Sequence, residues 1–421
     1  MAASWIGRPA LHYAMPVRFL TLLAALWLSA CSVANFDLSG AAPGSGHGPL
    51  PPFFAEFCAL SQIKKKADAG AEVMGGIGGH AVFYLHGACR VEGAGYPVLQ
   101  TCAGDAPVDG VGLSMNEHFQ NAKWVATPGR AFFYDGVTSG AGLTRAGYDR
   151  TQAEAKRLGI YDGVTFHETV YDAMPPGWSR RDWQYEVSAS TDYGISMGRG
   201  RYCARVPVTR LQMARMVAFL NSQNAPHRAG AEFRWSVFRD NCIHLAHNAL
   251  AVAGFWDEWP INRPMLLAML SFPVPRNEFV NIVRRANEPL PQDPAAVFRD
   301  PAARRGLLEF GVLPASPGGL AVAHPPQRPN ALYDTDVKLI FFDDPVFGAY
   351  QSRFDRIFAT PRYHDLRANR SYYTAAYAEV LAKRRPLAWW QGPGGYGRSP
   401  DFAAVYERFY ALVERGASGG E

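Results

Sequence analysis

Apolar residues along the chain follow two periods. His80–His86 is β-branched and aromatic and predicts a buried strand. Residues 96–101, 111–115, 124–127 and 131–134 predict further short strands, separated by Gly and Pro. Residues 183–188, 201–206 and 233–237 also read as extended. A helical period governs residues 207–222, where Leu211, Met213, Met216, Val217 and Leu220 form one stripe behind Pro207. Residues 144–158 predict a polar helix ended by Gly159, and residues 241–252 one stopped by Gly254. Residues 163–171 read as a loop or short strand, and Met174-Pro-Pro-Gly177 is a hard break. Beyond Pro260 the chain is Pro-rich, with helical pieces at 277–287, 345–358, 371–383 and 401–415. Strands, then helices, then more strands predict an α+β fold with no visible repeat.

The first thirty residues read as an address. Arg18 precedes an apolar run over residues 19–28, and Leu28-Ser29-Ala30-Cys31 follows. A basic start, a short apolar run and small residues before a cut site make a secretory signal, better still if translation starts at Met15. The run is too short for a spanning helix, which needs roughly 20 residues. Leu28-Ser29-Ala30-Cys31 resembles a bacterial lipobox. That resemblance implies lipidation of Cys31, and Ser32 after it implies delivery to the outer membrane. Residues 1–30 are then signal, and the Gly/Pro/Ser-rich residues 31–52 a flexible tether. The net charge of +5 is too small to argue for nucleic-acid binding, and Lys64–Lys66 has no continuing basic stripe. With 48% hydrophobic residues the chain can bury a large core.

Export makes cysteine usage informative, because the compartment is oxidising. Without Cys31, five cysteines remain: Cys58, Cys89, Cys102, Cys203 and Cys242. Two disulfides leave one thiol over, a flag for a reactive residue. Cys89 and Cys102 could close a hairpin, and Cys58 with Cys203 would then tie the start of the domain to its middle. That leaves Cys242; counting alone also permits a bridged Cys242 and another free thiol.

Arg239-Asp240-Asn241-Cys242-Ile243-His244 puts Cys242 in the first turn of a helix capped by Asp240 or Asn241. A helix N-terminus carries partial positive charge and free N–H groups. These lower a thiol's pKa and favour the nucleophilic thiolate, so a depressed pKa is expected for Cys242. The same N–H groups could serve as an oxyanion hole. A base is also needed. His80 is the best candidate, since it opens a strand directly after Gly75-Gly76-Ile77-Gly78-Gly79, where backbone approaches a substrate closely.

A histidine strand followed by Asn-Cys on a helix resembles the circularly permuted papain-fold hydrolases, the NlpC-type endopeptidases and the lecithin:retinol acyltransferase group among them. Gly79-His80-Ala81, the piece 201–220 and Asp240-Asn241-Cys242 resemble more specifically the Lnb N-terminal periplasmic domain family. The similarity covers roughly residues 55–290. It implies a permuted papain-like domain over residues 53–290, an antiparallel sheet with a Cys-bearing helix, followed by a mostly helical region 291–421. It also implies Cys242 as nucleophile and His80 as base. The third, orienting residue belongs on the strand after the histidine strand. Gln100 fits that place, and Ser114, Asn116 or Glu168 could serve.

Other candidates carry less. His244 and His247 share a helix face, but Cys242 lies about 200° around from His244, so a zinc site from these three lacks convergence. His86 faces the same side of its strand as His80 but on the order of 20 Å away. His167-Glu168 reads as surface loop. Trp178, Trp183 and Tyr185, and the stretch Trp389-Trp390-Gln391 to Tyr396, read as packing. Asp334–Asp336 and Asp343-Asp344 lack calcium-loop spacing. No metal or cofactor is called for. The expectation is an envelope lipoprotein, anchored through Cys31 and acting as a thiol hydrolase or acyltransferase on peptidoglycan peptides or envelope acyl groups. The alternative is a non-catalytic periplasmic accessory or binding lipoprotein with Cys242 in a disulfide.

Overall fold

The computed structural model describes residues 31–34, 51–69, 79–103, 110–129, 142–270, 274–315, 317–335, 339–343, 349–393, 395–396 and 399–419. The predicted strand at 131–134, the signal at 1–30 and most of the tether lie outside them.

Six strands form the central sheet: β1 (Phe54–Leu60), β2 (His80–His86), β3 (Val111–Ser114), β4 (Val125–Pro128), β5 (Arg201–Pro207) and β6 (Leu320–His324). The order is β6-β5-β1-β2-β3-β4, every pair antiparallel. Successive side chains point to opposite faces. Ala55, Phe57 and Ala59 of β1 and Ala81, Phe83 and Leu85 of β2 therefore join the main core. Phe54, Cys58 and Leu60, with Val82 and Tyr84, join a smaller cluster on the other face with Ile195, Cys203 and Val322. Both faces of β1 and β2 are covered, which explains their unbroken apolar runs.

The helices supply the cover. The longest among the described residues are α1 (Arg145–Arg157), α2 (Arg180–Asp192), α3 (Arg210–Arg228), α4 (Cys242–Val252), α5 (Pro275–Ala286), α6 (Leu366–Ala382) and α7 (Pro400–Ala417), with shorter helices such as Tyr350–Phe358 between them. α4 packs on β2, and α5 packs on β1 and β5. α3 starts at a capping box between Thr209 and Gln212 and lays Met213, Met216, Val217 and Leu220 into the main core. A second core joins α6 and α7 through Tyr373, Tyr377, Val380, Phe402, Val405 and Phe409, with Leu290 to Ala315 packed beside them.

The structure departs from the sequence expectations at several elements. Residues 183–188 lie inside helix α2, not a strand. Ser179 caps it by accepting from the Asp182 N–H, and burial runs almost continuously from Tyr185 to Asp192, so no one-sided stripe marks it as a helix. Residues 233–237 form no strand; Ser236 and Asp240 exchange backbone hydrogen bonds and close a turn into α4. β1 and β6 are sheet strands absent from the pattern reading. Every residue of β1 is buried, which erases polar alternation, and β6 is short and finds its partner far away in sequence.

Residues 291–421 are largely helical, but they do not stand apart from the sheet. β6 extends it, Tyr333–Asp334 pairs with Lys64–Lys65, and Phe354 and Ile357 enter the main core. The main core thus draws on both sides of residue 290, whereas the second core lies within residues 290–417. Cys31–Ala34 pairs with Leu339–Phe342, so the first residues of the expected tether are in a ladder.

Cys58–Cys203 and Cys89–Cys102 are disulfides, and Cys242 is free. Cys58–Cys203 bridges β1 and β5 at paired positions. On the same face Glu56 and Arg205 form a buried ion pair at 2.7 Å.

The two bridges close loops of 145 and 13 residues. In the chain-entropy picture Cys58→Ala/Cys203→Ala costs about 4–5 kcal/mol of stability and Cys89→Ala/Cys102→Ala about 3. Urea unfolding of the two double variants checks the order; an equal or inverted cost contradicts it.

Candidate active site

Asn241 starts α4. Its backbone is extended (φ −131°, ψ −179°), and its Oδ1 accepts from the N–H groups of Ile243 and His244 at 2.9 and 3.2 Å. This cap sets Cys242 as the first helical residue. Its thiol turns toward β2 and accepts a hydrogen bond from the Ala81 N–H, and the helix-start N–H groups of Cys242 and Ile243 also favour its charged form. The β2–β3 register runs from Phe83↔Leu113 to Leu85↔Val111. Ala81 lies beyond that stretch, and its donor goes to the sulfur instead.

His80 precedes Ala81 and opens β2, paired with Leu60 of β1. Gly79 before it has φ 80°, a left-handed turn that glycine adopts without strain. The His80 ring lies 2.9 Å from Ser114 Oγ through Nε2. Ser114 Oγ in turn donates to Asp192 Oδ1 at 2.7 Å. Asp192, the last residue of α2, also accepts from Tyr161 Oη at 2.8 Å and Asn116 Nδ2 at 3.2 Å. His80, Ser114, Asn116, Tyr161 and Asp192 are all buried.

This chain sets the histidine's tautomer. An ionised carboxylate only accepts, so the Ser114 proton is committed to Asp192. Ser114 Oγ must then accept, and Nε2 of His80 carries the hydrogen. Nδ1 is left with its lone pair, as a base requires. Burial pushes the Asp192 pKa up to about 6, against the pull of Ser114, Tyr161 and Asn116. Below that pH Asp192 gains a proton to donate, Ser114 can turn its own toward His80, and the tautomer is no longer imposed.

Burial dominates both reactive groups. It holds His80 down at about 3, with the nearby Arg199 charge acting in the same direction. It raises Cys242 to about 11, opposed by the three N–H groups and by Arg199. The helix N-terminus does favour the thiolate, but desolvation outweighs it, so the expected depressed pKa is not found. The resting pair is neutral thiol and neutral imidazole. Among the described residues His80 makes its side-chain hydrogen bond to Ser114 alone.

The other sequence candidates fall elsewhere. Gln100 is exposed on Leu99–Thr101, a strand paired with Ala88–Arg90, where it lies opposite Cys89. The strand that follows β2 in the sheet is β3, so Ser114 occupies the place expected of Gln100. Glu168 is on the surface, paired with Arg180. His167 lies 3.4 Å from Glu232. His86 stacks on Phe54 at the far end of β2. His244 is held by Asn241 Oδ1 at 3.0 Å. His247 pairs with Glu278 at 2.8 Å and lies against Trp256 and Trp259. Trp183 and Tyr185 are core residues, whereas Trp178 and Trp389 are exposed.

Asp192 and Arg199 had no place in the sequence reading, and Tyr161 entered it only beside the surface loop at His167-Glu168. Asp192 had one readable signal, an acid closing a run, 183–191, with Glu186 as its only other charge. Arg199 had another, an arginine between two glycines.

No family model, no curated protein and no solved structure matches the chain.

Proposed function

We propose that this chain is an exported envelope lipoprotein in which Cys242 forms acyl-thioesters, a thiol hydrolase or acyltransferase acting on an amide or ester bond. The observation that carries this reading is a free thiol at a helix N-terminus, resting on the N–H of the residue after His80, while Ser114 and Asp192 hold His80 from behind. Histidine on an inner strand of an antiparallel sheet, with the cysteine on a helix packed against that strand, is also what the permuted papain-like resemblance leads one to expect. Two disulfides suit an oxidising compartment, and the signal-like segment before Cys31 suits lipid anchoring there. The binding-protein alternative in its bridged form loses its premise, because Cys242 is a thiol.

In this reading the Cys242 sulfur adds to a substrate carbonyl while its proton passes to Nδ1 of His80. The carbonyl π pair moves to oxygen, near the N–H groups that already lie on the sulfur. Collapse of the tetrahedral adduct expels an amine or alkoxide, which takes the proton back from Nδ1. The thioester is then cleaved by water, or by the hydroxyl or amine of an acceptor. Since thiol and imidazole rest neutral, the sulfur gives up its proton to His80 only in the course of the reaction. The substrate is a peptidoglycan stem peptide or an envelope acyl group.

p-Nitrophenyl acetate tests the chemistry without knowledge of the natural substrate. Intact-mass measurement should find one acetyl group on Cys242, removable by neutral hydroxylamine. Cys242→Ala should carry none, and His80→Ala should acylate about 10²–10⁴-fold more slowly. Full turnover by Cys242→Ala would end the proposal.

The acid side of the pH profile should be set by Asp192. Its carboxylate is ionised above about 6 and protonated below, so acylation should fall as pH drops through 6, although His80 itself stays neutral down to about 3. Ser114→Ala should lower the rate roughly tenfold or more and remove that limb. A limb that survives unchanged in Ser114→Ala assigns it to another group. Without substrate, iodoacetamide labelling of Cys242 should keep rising with pH above 9, with no plateau near neutrality.

A further inference from the structure

Arg199 is one of the most deeply buried large side chains of the protein, 1% exposed. Its guanidinium donates to two backbone carbonyls, Ser61 through Nε and one Nη, and Ser190 at 2.6 Å through the other Nη. Among the described residues it has no carboxylate partner. A buried cation without a counter-ion is expensive, and proteins usually pair it.

Its anchors place it at the reacting groups. Ser61 follows Leu60, the residue of β1 that pairs with His80. Ser190 lies on α2, two residues before Asp192, whose carboxylate orients His80 through Ser114. Cys242 opens α4, which packs on β2, and the N–H of Ala81, next to His80, favours its thiolate. Space is kept for the arginine: a Cβ on Gly194 would lie 2.8 Å from Arg199 Cδ.

We propose that Arg199 is a positioning residue of this site, and that its guanidinium, held on Ser61 and Ser190, is the counter-charge for the Cys242 thiolate formed during the reaction. The inference rests on the thiol reading above and deepens it. The electrostatics agree. Burial lowers Arg199 to about 9, while Cys242 and Tyr333 are the groups that favour its charge. Arg199 in turn favours the thiolate of Cys242 and disfavours a proton on His80. Among the described residues, the backbone N–H groups of Ala81, Ile243 and Cys242 itself are the other groups that favour the thiolate, and His80 faces Ser114, with Asp192 behind it. One cation thus keeps the base neutral at rest and stabilises the negative sulfur once the proton has moved.

The test uses the chain carrying Cys31→Ser, so that Cys242 is the one thiol outside the disulfides. Arg199→Gln keeps donors for both carbonyls and removes the charge; Arg199→Lys keeps the charge. The iodoacetamide labelling rate of Cys242 at pH 8 should fall about tenfold or more in Arg199→Gln, the thiolate lost when a thiol pKa rises by one unit. It should stay within about threefold of the parent in Arg199→Lys. The His80 ring titration, followed by NMR, should move up in Arg199→Gln only. Equal labelling in parent and Arg199→Gln overturns the proposal.

If Arg199→Gln does not fold, the parent still decides. A cation beside the sulfur should make anionic iodoacetate react several-fold faster relative to iodoacetamide than it does with the same chain in urea, and an unchanged ratio overturns the proposal. p-Nitrophenyl acetate acylation, run in parallel, separates the two readings: a labelling shift without acylation supports the counter-charge and removes the hydrolase.

Discussion

A carboxylate buried out of reach of water has to be met by donors, and the Asp192 carboxylate governs the geometry of this site. Ser114 from β3, Asn116 just beyond it, and Tyr161 all turn inward to donate to it. Each lost donor would leave a buried acceptor unsatisfied, at a cost of about 1–3 kcal/mol. That constraint brings the C-terminus of α2 against the end of β3, and Ser114, once committed to Asp192, has only a lone pair to offer His80. The tautomer of the histidine thus follows from where an aspartate is buried.

Desolvation also sets the state of the reacting pair. Helix N-terminal N–H groups favour a thiolate, and here those of Cys242 and Ile243 act on the sulfur together with the Ala81 N–H of β2. Loss of hydration costs the thiolate more, so the thiol keeps its proton at neutral pH. The same burial keeps His80 neutral. A site built this way holds no charge separation at rest, so its lone thiol is not a standing nucleophile. Arg199, held on the Ser61 and Ser190 carbonyls and without a carboxylate partner among the described residues, adds a positive charge to the same interior.

Much of this was legible in the residues themselves. The apolar, aromatic run His80–His86 marked an inner strand, because only a strand covered on both faces is apolar at every position. Asn241 before Cys242 marked a helix start, because an Asx side chain satisfies the first free N–H groups. With Cys31 set aside, the five remaining cysteines pointed to one free thiol, and the pairing Cys58–Cys203 with Cys89–Cys102 leaves Cys242. These are local signals, each carried by a few adjacent residues or by counting.

What connects His80 to anything else was decided only by the tertiary structure. Along the chain Gln100 was the preferred partner and Ser114 one of the alternatives; the sheet favours Ser114, because Leu99–Thr101 pairs with Ala88–Arg90 and not with β2. Asp192 lies 78 residues from Ser114, and α2 reads as a strand until its burial on nearly every side is known. β6 comes from the C-terminal region and completes the sheet from more than a hundred residues away. By itself the sequence determined which groups can act, a thiol at a helix start and an imidazole at a strand start, because capping and periodicity are properties of neighbouring residues. The fold determined which proton each group carries, because pKa and tautomer depend on desolvation and on partners that only long-range packing brings together.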